Sequence, residues 1–201
     1  MKHVNDLRDH WGQAILTVLA AALLTLPGLG RATVEESGAT FERSIELDGQ
    51  ELALSGTGVA KYRVIFTVYA AALYVPPGTA RAEVLDEGTP RRLEIEYFHD
   101  ISAEDIIEAA NTKLDDQLSA AELAAVKPKI DRFHALFNAV APGDRYRMDY
   151  TPNEGVELQF NGETVGTVEG GHFAQAYFGI WLDEDDPLSG KLRDNLLAGT
   201  E

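Results

Sequence analysis

Leu54-Ser55-Gly56-Thr57-Gly58 leads, through Val59-Ala60-Lys61, into Tyr62-Arg63-Val64-Ile65-Phe66-Thr67-Val68-Tyr69-Ala70-Ala71-Ala72-Leu73-Tyr74-Val75-Pro76. A glycine turn is expected to open this stretch, and the apolar, aromatic-rich run after it reads as one buried strand of a sheet. Val64, Ile65, Phe66, Val68 and Tyr69 are strong strand formers. Lys61 and Arg63 place two cations between the turn and the run. The tract Ala70-Ala71-Ala72 then exchanges large side chains for small ones. A strand lined by small residues leaves room for a closely packed helix or for a ligand. Basic groups beside such a groove would suit an acidic, apolar ligand.

Outward from this strand the pattern alternates between sheet and helix. Thr33 to Ala39 is polar and contains glycine, and reads as a loose leader. Ser44 to Leu47 and Glu51 to Leu54 flank Asp48-Gly49, the signature of a tight hairpin. Pro76-Pro77-Gly78 closes the strand pair spanning Val59 to Val75. Arg92 to Phe98 alternates apolar and charged residues, giving a strand with one wet face. Ser102 and Ser119 are helix N-caps, with Asp105 and Glu122 three residues on. The second helical stretch carries Pro128, which is expected to kink or divide it. Three short strands follow, at Tyr146 to Tyr150, Val156 to Phe160 and Thr164 to Val168, with an Asn161-Gly162 turn between the last two. Helices are expected at Phe173 to Leu182 and Leu188 to Leu197, separated by the acidic run Asp183 to Asp186. This order predicts an α+β fold, an antiparallel sheet with helices packed on one side.

Residues 1–32 have the pattern of a secretory signal peptide. Lys2 and Arg8 provide a basic start, Ala14 to Leu26 an apolar heart, and Gly30-Arg31-Ala32 a small-x-small cleavage site. The apolar heart is short for a membrane span, which needs about 20 residues. The domain is therefore expected at residues 33–201, in the periplasm or outside the cell, without stable membrane insertion once the signal is removed. About 170 residues suit one domain with a single sizeable core.

The chain contains no cysteine, which excludes disulfides and thiolate metal sites. Its formal charge is -16, and removal of residues 1–32 takes away three basic and two acidic side chains to leave -17. Such a surface repels phosphate backbones, so nucleic acid is not an expected partner. The histidines do not form a metal-binding pattern: His99-Asp100 has no second histidine nearby, His134 reads as a surface helical residue, and His172 follows Gly170-Gly171. The acidic run at Asp183 lacks the spacing of a calcium loop. No nucleophile elbow, P-loop or dinucleotide fingerprint is present, and no cofactor is expected.

Two motifs carry a family resemblance. Gly56-x-Gly58 followed by Tyr69-x-Ala71-Ala72-Leu73-Tyr74 is the first. Phe173-Ala174-Gln175-Ala176-Tyr177-Phe178-Gly179-Ile180-Trp181-Leu182, with Pro187-Leu188-Ser189 and Leu192 to Leu197, is the second. Together they resemble the bacterial branch of the chalcone isomerase-like proteins over residues 40 to 197. The resemblance implies the open-faced β-sandwich of chalcone isomerase. The isomerase's catalytic set does not carry over: its arginine falls on Ala60, its threonine on Tyr69 (with Thr67 as the rival position), and its helical tyrosine and asparagine near Ile106 and Lys113. Its late hydroxyl falls near Ala176 or Tyr177. Non-catalytic relatives bind fatty acids with an arginine and a tyrosine against the carboxylate. By that resemblance the expected ligand is a small apolar carboxylate or an aromatic molecule. Tyr69 would stand at the tyrosine's place, Lys61 or Arg63 would supply the cation, and Thr67 and Tyr74 would lie on the same run. Catalysis is not expected; an isomerase or intramolecular lyase acting in the same groove is the alternative, and a ligand-free interaction module with a filled core is a third reading.

Overall fold

A computed structural model describes residues 32–63 and 66–201. Among these residues nine strands and four α-helices follow one another as β1 (Thr33–Glu36), β2 (Ala39–Glu42), β3 (Ser44–Leu47), β4 (Gln50–Tyr62), β5 (Phe66–Val75), β6 (Arg91–Tyr97), α1 (Ala103–Gln117), α2 (Ala120–His134), β7 (Arg145–Thr151), β8 (Gly155–Phe160), β9 (Glu163–Val168), α3 (Gly171–Leu182) and α4 (Gly190–Leu196). Strands β3 to β9 form one seven-stranded antiparallel sheet in strict chain order. The pair α1–α2 is inserted between β6 and β7, which are themselves sheet neighbours.

Period-2 alternation along β5 decides what each face buries. Tyr69, Ala71, Leu73 and Val75 belong to the large core under the helices, whereas Ala70, Ala72 and Tyr74 belong to a smaller cluster on the opposite face. The expected one-sided packing of helices holds, and the other face is partly covered by the hairpin β1–β2. That hairpin replaces the loose leader expected at Thr33 to Ala39. Ser37 and Gly38 both take positive φ (53° and 96°), the signature of a two-residue hairpin turn. The hairpin is held down because Ala39 and Phe41 bury fully against Tyr74 and Leu52.

The glycine turn expected at Leu54 to Gly58 is instead continuous strand. β4 runs through it with a bulge between Leu54 and Gly56. The glycines serve a close helix contact: a Cβ at Gly56 would fall 2.0 Å from the Asn195 carbonyl oxygen, and one at Gly58 would fall 2.8 Å from Leu192 Cδ1. Helix α4 thus lies directly on the β4 backbone. The chain reverses later, where Arg63 adopts a φ of 48° and β5 begins at Phe66. The single strand expected over 62–75 is therefore the end of one strand, a reversal and a second strand. Val64 and Ile65 lie outside the described residues.

Helix α3 is buried almost all round, with Phe173, Ala174, Tyr177, Phe178 and Ile180 within the core. Helix α1 is clamped beside it. Gln117 Nε2 donates to Gly179 O at 3.0 Å and to Asp186 O at 2.7 Å, and Lys113 pairs with Asp186 at 2.7 Å. Helix α2 begins with a full capping box, Ser119 with Glu122, and passes through Pro128 without dividing.

Candidate functional site

A cavity of about 220 Å³ lies on the helical face of the sheet, enclosed by β5, β6 and β7 below and by α1 and α3 above. Its walls are overwhelmingly apolar: Ile95, Met148, Ile106, Ala110, Phe137 and Ile180. Among the lining residues, those with a polar side-chain atom are Tyr69, Tyr97, Tyr146, Tyr177, Trp181 and Asp105. At the rim stand Asp105 and Ala109, both exposed on α1, and Leu188, which is 39% exposed.

Local sequence explains each placement. Tyr97 follows Leu93 and Ile95 on the apolar face of β6, and Tyr69 is its cross-strand partner on β5. Their rings meet edge to face with centroids 5.5 Å apart, a favourable geometry for aromatic pairs. Tyr177 and Trp181 are one helical turn apart on α3 and so share a face. Trp181 Nε1 donates to Tyr69 Oη at 2.8 Å, tying helix to sheet across the cavity. Tyr146 is satisfied on both counts, donating to Asn138 O at 3.1 Å and accepting from Asn138 N at 2.7 Å. Burial raises the pKa of Tyr69, with the Trp181 hydrogen bond pulling the other way, and burial likewise raises Tyr97 and Tyr177. These phenols are neutral donors throughout the physiological range.

The five residues expected to form the site do not converge. Tyr69 lines the cavity. Thr67, half-buried on β5 opposite Lys61, is not among the lining residues. Lys61 and Arg63 are exposed at the end of the β4–β5 hairpin, where the Arg63 guanidinium lies 5.2 Å from the centre of the Tyr62 ring. Tyr74, five residues from Tyr69, falls on the opposite face of the sheet, fully buried, because an odd separation along a strand reverses the side chain. Among the described residues no lysine, arginine or histidine lines the cavity. Ala60, where the resemblance seeks an arginine, sits directly across from Tyr69.

Tyr97 and Trp181 escaped the sequence reading as site residues, and Tyr177 entered it only as a position near the isomerase's late hydroxyl, although the signals were present. The alternation of β6 puts Tyr97 on the dry face, and the four-residue spacing on α3 joins Tyr177 to Trp181. His134 was expected at the surface but is 7% exposed, wedged against the rings of Phe137 and Tyr177. Burial lowers its pKa to about 4.

A second, polar pocket lies on the opposite face among Arg92, Arg145, Arg147, Glu94 and Glu42. Register accounts for it, since Arg92 faces Asp149, Glu94 faces Arg147 and Glu96 faces Arg145. Arg92 grips Asp149 at 2.5 and 2.6 Å, and Arg145 bonds both Glu94 and Glu96. Arg147 Nε is 3.2 Å from Glu94 Oε1, at ion-pair distance but outside hydrogen-bond alignment. Each arginine is already neutralised by a carboxylate, so this is a cross-strand charge ladder.

The chalcone isomerase-like family matches residues 33–198, and the chain belongs to that family. No curated protein sequence matches it. Among solved structures, a fatty-acid binding protein of Arabidopsis thaliana is similar in fold, with a TM-score of 0.66 at 14% identity, covering 83% of this chain and 96% of that one. Together these show the α+β chalcone isomerase-type fold.

Proposed function

We propose that this protein is an exported, non-catalytic binding protein that holds a small apolar molecule in the cavity between α1, α3 and strands β5 to β7. The observation that carries this reading is a preformed apolar cavity with a few convergent polar groups, the usual form of a small-molecule site. A fatty-acid binding protein of Arabidopsis thaliana with a similar fold supports an apolar ligand here. The lining favours binding over catalysis: among the described residues it contains no histidine, lysine, serine or threonine, and its one carboxylate, Asp105, is exposed and held by the Ser102 hydroxyl at 2.7 Å. Lys113, at a position used by the isomerase, is spent on Asp186. A fatty acid remains a candidate for the body of the ligand, while a carboxylate gripped by Tyr69 with Lys61 or Arg63 finds only the tyrosine at the cavity. The volume lies below the 300–1,000 Å³ usual for drug-sized ligands. It suits a compact molecule or one end of a longer one. Export is proposed from the pattern of residues 1–32.

Binding of the neutral fluorophore N-phenylnaphthylamine tests the reading. Saturable fluorescence enhancement at micromolar concentrations is expected, lost when Ala109→Trp plugs the rim while the melting temperature is retained. Absence of enhancement, or enhancement indifferent to Ala109→Trp, would sink it.

A further inference from the structure

We propose that the cavity selects a neutral ligand bearing an acceptor-only oxygen, a ketone or an ester, at its buried end. The proposal rests on the apolar-ligand reading above and concerns what the inner end of that ligand must be. Tyr97 and Tyr177 line the cavity and are 5% and 1% exposed, yet neither hydroxyl has a hydrogen-bond partner among the described residues. Neither oxygen is wholly sealed from water, unlike the unpartnered Tyr74 hydroxyl on the opposite face, so a ligand that fills the space displaces that water and must replace its hydrogen bond. Tyr146, in the same wall, shows the normal state, with both its donor and its acceptor capacity used on Asn138. Tyr69 spends its acceptor on Trp181 and keeps its own O–H proton. Three unspent phenol donors therefore border one apolar space.

Donors in excess call for an acceptor, and charge decides which one. A carboxylate would accept these hydrogen bonds, but a buried charge requires a cationic partner, and none lines the cavity among the described residues. A phenol carries no positive charge in either protonation state, and Asp105 at the rim opposes an anion. An alcohol would bring a further donor to a site already rich in them. A carbonyl oxygen, with two lone pairs and no proton, matches the surplus.

Three isosteric naphthalenes test this by displacement of N-phenylnaphthylamine: 2-acetonaphthone, 2-naphthoate and 2-ethylnaphthalene, at neutral pH. The ketone is expected to bind about tenfold more tightly than the hydrocarbon, the effect of one or two neutral hydrogen bonds. The carboxylate is expected to bind most weakly. Tyr97→Phe and Tyr177→Phe should each erase much of the ketone's advantage and leave the hydrocarbon's affinity unchanged. Both variants remove an unpartnered hydroxyl, so the melting temperature should hold or rise, which separates lost recognition from lost folding. Ketone and hydrocarbon binding alike would mean that water satisfies the phenols, and the proposal would fall. So would naphthoate binding best, or ketone affinity unmoved by both substitutions. In each of those cases displacement itself still upholds the apolar-ligand reading, whereas failure of N-phenylnaphthylamine to bind removes it.

Discussion

Arg91 is the largest fully buried side chain in the described core, and it has no carboxylate partner. Its Nη1 donates to the carbonyls of Val84, Asp86 and Thr89 at 2.9–3.1 Å, and its guanidinium lies between the Tyr150 and Phe178 rings at 4.4 and 4.8 Å. One side chain thus fastens the irregular segment between β5 and β6 to the sheet and to α3. Burial pulls its pKa down to about 10, so the cation persists at neutral pH, supported by carbonyls and ring faces. Arg91→Met should cost about 3 kcal/mol in urea unfolding, because three carbonyls lose a charged donor. A cost below about 1 kcal/mol would mean that the segment is held by other contacts. His134 behaves in the opposite sense. Its imidazole is buried with Nε2 unpartnered and resists protonation down to about pH 4, while the unfolded chain takes up a proton near 6.5. The unfolded state therefore binds more protons between these values, so this contribution to stability is complete above pH 6.5 and is lost as pH falls towards 4. The expected loss over that window is about 2–3 kcal/mol relative to a His134→Leu variant, measured by urea unfolding at both ends. Parallel pH profiles for the two proteins would refute the assignment.

At the scale of elements, the contact between α4 and β4 leaves no room for a side chain at Gly56. Gly56→Ala must push a methyl group into the Asn195 carbonyl, which is backbone and cannot step aside as a flexible side chain would. A destabilisation of about 3 kcal/mol is expected, while Gly88→Ala, with open space around it, should change stability by less than about 0.5 kcal/mol. The same contact explains why the sequence misled at this point. Glycine pairs mark turns when they supply backbone freedom and mark helix contacts when they supply space, and local sequence does not distinguish the two. Asp48-Gly49 and Asn161-Gly162 were legible as hairpin turns, and both have positive φ at both residues. Ser37-Gly38 does the same with a weaker residue in first place, and was passed over. Pro128 is a further lesson in context: α2 tolerates it because that part of the helix is exposed while Val126 and Ile130 anchor the buried side. Tertiary packing outweighs a lost backbone donor here, so Pro128→Ala should raise stability by about 1 kcal/mol or more, visible as a higher melting temperature. No change would show that the proline is already fully accommodated.

Across the whole molecule, the order of strands and helices and the one-sided helical layer were legible because hydrophobic period and turn residues are local. The cavity was not, because it depends on which strands become neighbours. Tyr69 and Tyr97 are distant in sequence and meet only through the β5–β6 register, and Tyr177 arrives from a helix more than a hundred residues after Tyr69. The sequence also drew Lys61 and Arg63 towards Tyr69 by proximity along the chain, whereas the hairpin reversal leaves both in solvent. The family match begins at Thr33, the residue after the segment with the signal pattern. If residues 1–32 are a signal and nothing more, the chain 33–201 carries everything the fold requires. Expressed alone, it should unfold in one cooperative transition and bind N-phenylnaphthylamine as the full chain does. Intact mass of protein recovered from the periplasmic fraction should give a start near Thr33 or Arg31. Retention of Met1 in a membrane fraction, or a chain 33–201 unable to fold, would instead assign the N-terminal segment a lasting part in the mature protein.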